Sequence, residues 1–309
     1  MAMMASGKST YEAPPLDLDP RFYHLDDEEK GFFQQLTGIT DDEQLKVHIF
    51  RVQAKAYKVT YFAFVKLKIA RLPAYRHVQR LLKERKDPIF LDLGCCFGND
   101  IRKAAVDGWP VENLIALDLQ KGFWDCGHEL FKSPPDTFPV AFVGGDIFDP
   151  LILAPRSAFI ECPDIEAVNS KPVPPLRELT SLTPLHGKVS VIHASSFFHL
   201  FSEKEQLELA RRVSSLLLPE PGSVVFGGHV ALPNKGIRRD SSRPNWSMSC
   251  HSPESWREMW LEVFNNGDGR GKERIKVEAK LVQPPKQGPQ GALMKDDDLW
   301  FMYWSVTRI

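Results

Sequence analysis

The chain has 309 residues, 43% of them hydrophobic and 26% charged, with a formal net charge of −1 at pH 7. That composition is ordinary for a globular protein with a sizeable core, and the absence of a basic excess argues against a chain selected to hold nucleic acid. The five cysteines form no CxxC pair and meet no matching histidine spacing, so no metal is expected. An odd number of thiols, no signal-like N-terminus and no run of about 18 apolar residues read as a cytoplasmic chain without a membrane span.

Residues 1–20 read as an arm. From Asp41 the series Leu45, Ile49, Val52, Val59, Phe62 and Ile69 predicts one helix reaching the Leu72-Pro73 break. Its other face carries Lys46, Arg51, Lys55, Lys58, Lys66 and Lys68, either a solvated basic face or a helix lying over an anionic ligand. A second helix over 74–86 completes an N-terminal arm and helical lid, residues 1–85, ahead of a core at 86–309. In the core, strand and helix signals alternate, which implies parallel βαβ units. Strands are predicted at 89–93, 114–117, 140–143, 189–194 and 223–226. A helix starts at Asn99, with Asn99 or Asp100 as N-cap, and another spans 203–218. The proline-rich stretch 150–187 is an insertion with a short helix near 176–182. Ser252-Pro253-Glu254 opens a further helix, and 274–281 with 299–306 form a closing strand pair. The fold expected is α/β: a doubly wound, seven-stranded, mostly parallel sheet with an antiparallel last strand.

In Asp92-Leu-Gly94-Cys-Cys-Phe-Gly98-Asn-Asp100 a strand runs into a glycine turn that opens a helix. Gly94 lets the chain turn, and Gly98 lets the helix start pass close to a ligand. The G-x-G-x-x-G fingerprint of a nicotinamide oxidoreductase is absent. Asp92, two residues before the first glycine, would repel a pyrophosphate but suits a ligand bearing an ammonium group, such as S-adenosyl-L-methionine. Asp118, at the end of the second strand, is placed to accept from ribose hydroxyls. Asp146, after the third, is placed to accept from an adenine amine, with Leu119, Ile147 and Phe148 beside the ring. Taken singly, each acid is equally well a cap or turn residue.

Methyl transfer from a sulfonium needs alignment and exclusion of water, and a base only where the acceptor must lose a proton. His193, ending the fourth strand, is a candidate base and equally a ring that merely abuts the methyl donor. His199 is a second candidate, with core packing as its other reading, and His229 and His251 sit near other element ends. Phe123 and Trp124 are placed to flank the adenosine. Trp246 and the arm residues Phe22, Tyr23, Phe32 and Phe33 suit a pocket for a bulky apolar acceptor.

Leu91-Asp-Leu-Gly-Cys, Ala116-Leu-Asp-Leu and Gly145-Asp-Ile-Phe resemble motif I, the post-I acid and motif II of class I methyltransferases, a Rossmann-like family, over residues 88–309. Asp118-Leu-Gln, Gly127-His-Glu-Leu-Phe, Ser196-Phe-Phe-His-Leu-Phe and His251-Ser-Pro-Glu-Ser-Trp narrow the resemblance to fungal secondary-metabolism methyltransferases acting on meroterpenoid and polyketide intermediates. The resemblance implies Asp118-Leu119 and Asp146-Ile147 as pairs binding the methyl donor, and S-adenosyl-L-homocysteine as product. The implied reaction is O-methylation of a small apolar natural product at a hydroxyl or carboxyl, with neither nucleic acid nor membrane as partner. Carbon or nitrogen acceptors, a non-catalytic methyltransferase-like interaction protein and a homodimer stay open. One departure is Cys96, which stands where many class I enzymes have a second glycine.

Overall fold

The computed structural model describes residues 23–56, 64–160, 172–240, 243–265, 267–283 and 299–309, with the backbone alone for 240 and 243–246. The expectations for Phe22, Lys58, Val59, Phe62 and Cys162, and for the Trp246 side chain, concern positions outside that description.

The apolar runs become strands: β1 (Ile89–Leu93), β2 (Leu114–Asp118), β3 (Ala141–Gly144), β4 (Val189–His193) and β5 (Val224–Ala231). Every residue of β2, β4 and β5 is buried, as expected of strands covered on both faces. A polar hairpin follows, β6 (Gly236–Asp240) and β7 (Arg243–Cys250), and then β8 (Ile275–Val282) and β9 (Trp300–Arg308). The main sheet runs β3-β2-β1-β4-β5-β9-β8, and only β9 is antiparallel, paired with β5 on one side and β8 on the other. The seven strands and the antiparallel last strand are those expected; the hairpin was not. Its first strand exposes Ile237 (61%) and shows no apolar face to read.

Strand order reverses between β1 and β4, which opens a crevice at their C-terminal ends. Asp92 and His193 are register partners at that point. Helices cover both faces. One face packs Phe90, Ala116, Val191 and Phe226 against α4 (Tyr75–Glu84) and α5 (Asn99–Val106); the other packs Leu91, Ile115, Ile192 and Val225 against α7 (Glu203–Leu216) and α8 (Pro253–Asn265). Described parts of the insertion fill this second face, with Leu153, Leu176, Leu182 and Leu185 buried. The helix expected near 176–182 is instead two 3-10 turns, Leu176–Glu178 and Thr183–Leu185; Pro184 lacks the backbone donor that a helix continuing through the second turn would need.

Of the segment expected as a lid, residues 1–85, α1 (Asp27–Thr37), α2 (Asp42–Gln53) and α3 (Lys68–Arg71) lie together, with α1 and α2 seated on α6 (Lys121–Leu130), whereas α4 packs on the sheet. Asp26 and Glu29 close a reciprocal capping box on α1, and Phe33 stacks on Phe131 with ring centroids 5.1 Å apart. Beneath α2, His48 bonds the Leu130 carbonyl at 2.9 Å and Lys55 pairs with Glu129 at 2.7 Å. The single long helix expected from Asp41 is thus corrected: α2 ends at Gln53, and the apolar series continues in separately packed pieces. Phe64 lies against Phe97 (4.7 Å), and Ile69 N donates to the Asp100 carboxylate at 2.9 Å. That contact also corrects the cap expectation. The N-cap of α5 is Gly98; Asn99 donates to the Phe64 carbonyl and Asp100 accepts from Ile69, so both side chains serve the lid and not their own helix. No helix among the described residues is long and apolar enough to cross a membrane.

Because Phe33 is fully buried at the lid–core seam, truncating it leaves a cavity that neither part can close. Phe33→Ala is expected to cost roughly 3–5 kcal/mol of stability, read as a shift in the urea midpoint; a lid docked only loosely would leave the midpoint unchanged.

Candidate active site

The loop after β1 is tied down by backbone bonds: Gly94 N and Cys95 N both donate to the Leu117 carbonyl, at 2.9 and 3.2 Å. Gly94 has φ +67°, and a Cβ there would meet the Phe197 ring at 2.6 Å. Cys96, the residue in place of a second glycine, has φ +53°, a left-handed conformation that costs a side-chain-bearing residue roughly 1–2 kcal/mol. The loop holds it because Cys96 N donates to Asp118 Oδ2 at 2.8 Å, and a bond to a charged acceptor contributes about 1.5–3 kcal/mol. The other Asp118 oxygen accepts from Gln120 N at 2.8 Å. Burial raises the Asp118 pKa, against the pull of these two amides.

Asp92 and His193 are almost fully buried, and His193 Nδ1 lies 2.8 Å from Asp92 Oδ1. A carboxylate cannot donate, so Nδ1 carries the proton. Nε2 then faces the Ser195 hydroxyl at 2.7 Å, and that oxygen accepts from Gly228 N at 3.2 Å. Both ring nitrogens of His193 are therefore engaged. Asp92 Oδ2 is buried without a partner.

That oxygen looks into a cleft whose walls include Gly94, Cys96, Asp100, His193 and Ser195 from the core and Phe64, Lys66 and Lys68 from the lid. Lys66 is already bound, donating to Glu29 at 2.8 Å and to the His24 carbonyl at 2.6 Å. Lys68 has no ion pair within 4 Å among the described residues. Burial raises the Asp100 pKa, opposed by His193 and Lys68 and reinforced by Asp92. The free oxygen of Asp92 and the Lys68 ammonium, in one cleft, match the ammonium and carboxylate of an α-amino acid. The residues fit the methionine end of the methyl donor.

The other expected residues are placed as follows. Asp146 is exposed beyond β3 and accepts from Phe148 N at 2.9 Å; Gly145 N bonds the Asp118 carbonyl at 3.0 Å, joining the two acidic loops. Leu119 is 58% exposed and open to this face, whereas the Ile147 side chain (2%) turns into the core and leaves only its backbone there. Phe148 meets Phe201 edge-on at 5.3 Å. Trp124 and Phe123 are not adenosine flanks: Trp124 stacks on Phe142 (5.1 Å) in the space left beside Gly98, and Phe123 packs on Phe97. Cys95 is buried and Cys96 half-buried, and both pack as small apolar side chains. Burial, then Asp118, pushes the Cys96 thiol up to about 12, which leaves it unreactive. No cluster among the described residues could hold a metal ion. Ser195 had no motif to announce it, and Asn99 and Asp100 stood in the glycine-loop motif only as cap candidates. Lys68 belonged to the basic series over which an anionic ligand was one reading.

A doubly wound sheet with one antiparallel inner strand, a glycine loop at its switch point and an acid after each of the first three strands defines a class I S-adenosylmethionine-dependent methyltransferase. A family described as "Meroterpenoid methyltransferase N-terminal domain" matches residues 18–64. The O-methyltransferase atr3 of Stereocaulon alpinum is 30% identical over 284 residues, 89% of this chain and 69% of that protein. The O-methyltransferase phiE of a Fungal sp. is 34% identical over 204 residues, 65% of this chain and 57% of its own length. The methyltransferase trt5 of Aspergillus terreus is 29% identical over 227 residues, 72% and 71% of the two chains. The chain spans little more than half of phiE and about 70% of the other two. It belongs to this family of fungal methyltransferases.

Burial, then like charge, holds His199 and His251 down to about 4 and His229 well below its ordinary value. The unfolded chain binds protons below pH 6.5 that the fold refuses, so stability is full above that pH and is lost as pH falls toward 4. Melting temperature should fall steadily from pH 7 to pH 5; a flat profile would contradict these assignments.

Proposed function

We propose that this enzyme transfers a methyl group from S-adenosyl-L-methionine to an oxygen of a small apolar natural product. The observation that carries the reading is that Asp92 Oδ2, buried without a partner, and the Lys68 ammonium line one cleft at the switch point of the sheet. Oxygen as the acceptor atom is supported by the names of phiE and atr3, both O-methyltransferases. When bound, the cofactor supplies an electrophilic methyl group on a sulfonium.

The chain's own residues bind, orient and exclude water. Asp92 takes the ammonium and Lys68 the carboxylate; Asp118 offers its remaining lone pairs to the ribose, and Asp146 with Leu119 and the Ile147 backbone takes the adenine. Of the two roles expected for His193, base or a ring beside the methyl donor, the engagement of both nitrogens favours the second, as a positioning residue that fixes the Asp92 carboxylate. Residues 1–85 act as the lid, with Phe64 and Lys68 closing the cleft. The reading places the enzyme in the cytoplasm; the net charge of −1 supports a small molecule and not nucleic acid as its partner, and a homodimer is left for sedimentation to decide.

Calorimetry with S-adenosyl-L-homocysteine tests the reading. Micromolar binding is expected, and Asp118→Ala should abolish it; no binding by the unaltered chain would sink the proposal. Lys68→Met should weaken S-adenosyl-L-homocysteine about tenfold, the loss of one charge-assisted contact, yet leave 5′-methylthioadenosine, which lacks the amino-acid end, unchanged. Equal losses for both ligands would remove Lys68 from the site. Tight binding without any methyl transfer to a panel of fungal phenols would favour the non-catalytic scaffold.

A further inference from the structure

Two acids and two lysines line the cleft at the switch point, and the bonds they already make leave them unevenly matched. Lys66 is neutralised by Glu29 at 2.8 Å. Asp92 gives Oδ1 to His193 and keeps Oδ2 buried without a partner. Asp100, the second residue of α5, gives Oδ1 to Ile69 N at 2.9 Å, the one hydrogen bond its side chain makes among the described residues. Lys68 is thus set against two carboxylates, each with an oxygen to spare. The cavity they line has an empty volume of about 320 Å³ and is partly open to solvent, so the end of a ligand can enter it.

The charges around Asp100 come from three elements. Burial, the largest influence, raises its pKa; His193 from β4 and Lys68 from α3 pull it down, and Asp92 from β1 pushes it up again. Two carboxylates sharing one cleft are relieved by a cation placed between them. An ammonium has three N–H donors, and Asp92 Oδ2 accepts one of them. Asp100 is the second carboxylate on the same wall. It also bears on the other end of an amino acid, because Ile69 directly follows Lys68. The bond from Ile69 N fixes the backbone next to the residue whose side chain is assigned to the ligand's carboxylate.

We infer that Asp100 is a further binding residue for the amino-acid end of the methyl donor. Its free oxygen joins Asp92 Oδ2 on the α-ammonium, while its bonded oxygen holds α3, and with it Lys68, at the α-carboxylate. The inference rests on the methyltransferase reading and gives a second task to a side chain that otherwise only fastens the N-terminal helices to the core.

The test compares S-adenosyl-L-homocysteine with its analogue lacking the α-amino group, both by calorimetry on the full chain. Asp100→Asn keeps an acceptor for Ile69 N and removes only the charge. It should weaken S-adenosyl-L-homocysteine about tenfold and leave the deaminated analogue unchanged. Asp100→Ala, which frees α3 as well, should weaken both ligands. Equal losses for the two ligands in Asp100→Asn would reduce Asp100 to a latch, and no loss for either would take it out of the site; each result overturns the inference.

A second measurement uses the unaltered chain. An ammonium favours the ionised carboxylate, so at mildly acid pH S-adenosyl-L-homocysteine should drive off a proton that the deaminated analogue does not, read in buffers of differing ionisation enthalpy. Asp118, whose pKa is also raised, is assigned to the ribose common to both ligands and cancels. Equal proton release would sink the assignment. If the unaltered chain binds no S-adenosyl-L-homocysteine, the methyltransferase reading falls with it. If that ligand binds the unaltered chain and Asp100→Asn alike, only the role of Asp100 is lost.

Discussion

A carboxylate buried at the end of a central strand is the constraint around which this molecule is arranged. Asp92 is 2% exposed, and an ionised group so placed is costly unless it is paired and hydrogen-bonded. The strand register supplies His193 directly opposite, the β4 turn supplies Ser195 to hold the far side of the ring, and the β5 backbone at Gly228 holds Ser195 in turn. Three adjacent strands are thereby committed to satisfying half of one side chain. The half left over is what the proposed function uses, because an unsatisfied buried oxygen favours whatever cation can reach it.

The lid extends the same logic. It is not a separate unit leaning on the core: its apolar residues share one cluster with Phe97, Leu130 and Phe131. Polar latches sit where the glycine loop becomes a helix, so the first two residues of α5 hold the lid in place. Burial of Asp100 with a raised pKa belongs to this arrangement, since the cleft gathers acids from the core and cations from the lid. In this structure the seating of the N-terminal helices brings those cations to the acids of the core.

The parts of this structure that were legible in the sequence are those governed by burial on both faces. Runs such as Ile89–Leu93 and Val189–His193 have no alternative to a central strand, and once they are placed the acids at their ends follow. Features that depend on a partner distant in the chain were not legible. The apolar spacing from Leu45 to Ile69 gave no sign that α2 ends at Gln53, nor that Phe64 and Ile69 are held by Asn99 and Asp100, some thirty residues further along the chain than either. Those two residues looked like caps because their local chemistry is that of caps. His193 looked like a base because nothing in the sequence tells that Ser195 covers its second nitrogen. Trp124 was misplaced for the same reason: the absent side chain at Gly98 makes room for an indole beneath the loop as readily as for a ligand above it.

Cys96 adopts a backbone conformation that favours glycine, while its side chain packs against the aromatic cluster that seats the lid. Cysteine and glycine codons differ by a single base, so relief from this strain is one of the shortest mutational steps open to the gene. What the loop would gain in ease by that step, the lid would lose as a contact. The thiol is best understood as adhesive and not as chemistry: it trades local comfort of the backbone for a tighter join between the part of the protein that grips the methyl donor and the part that covers it.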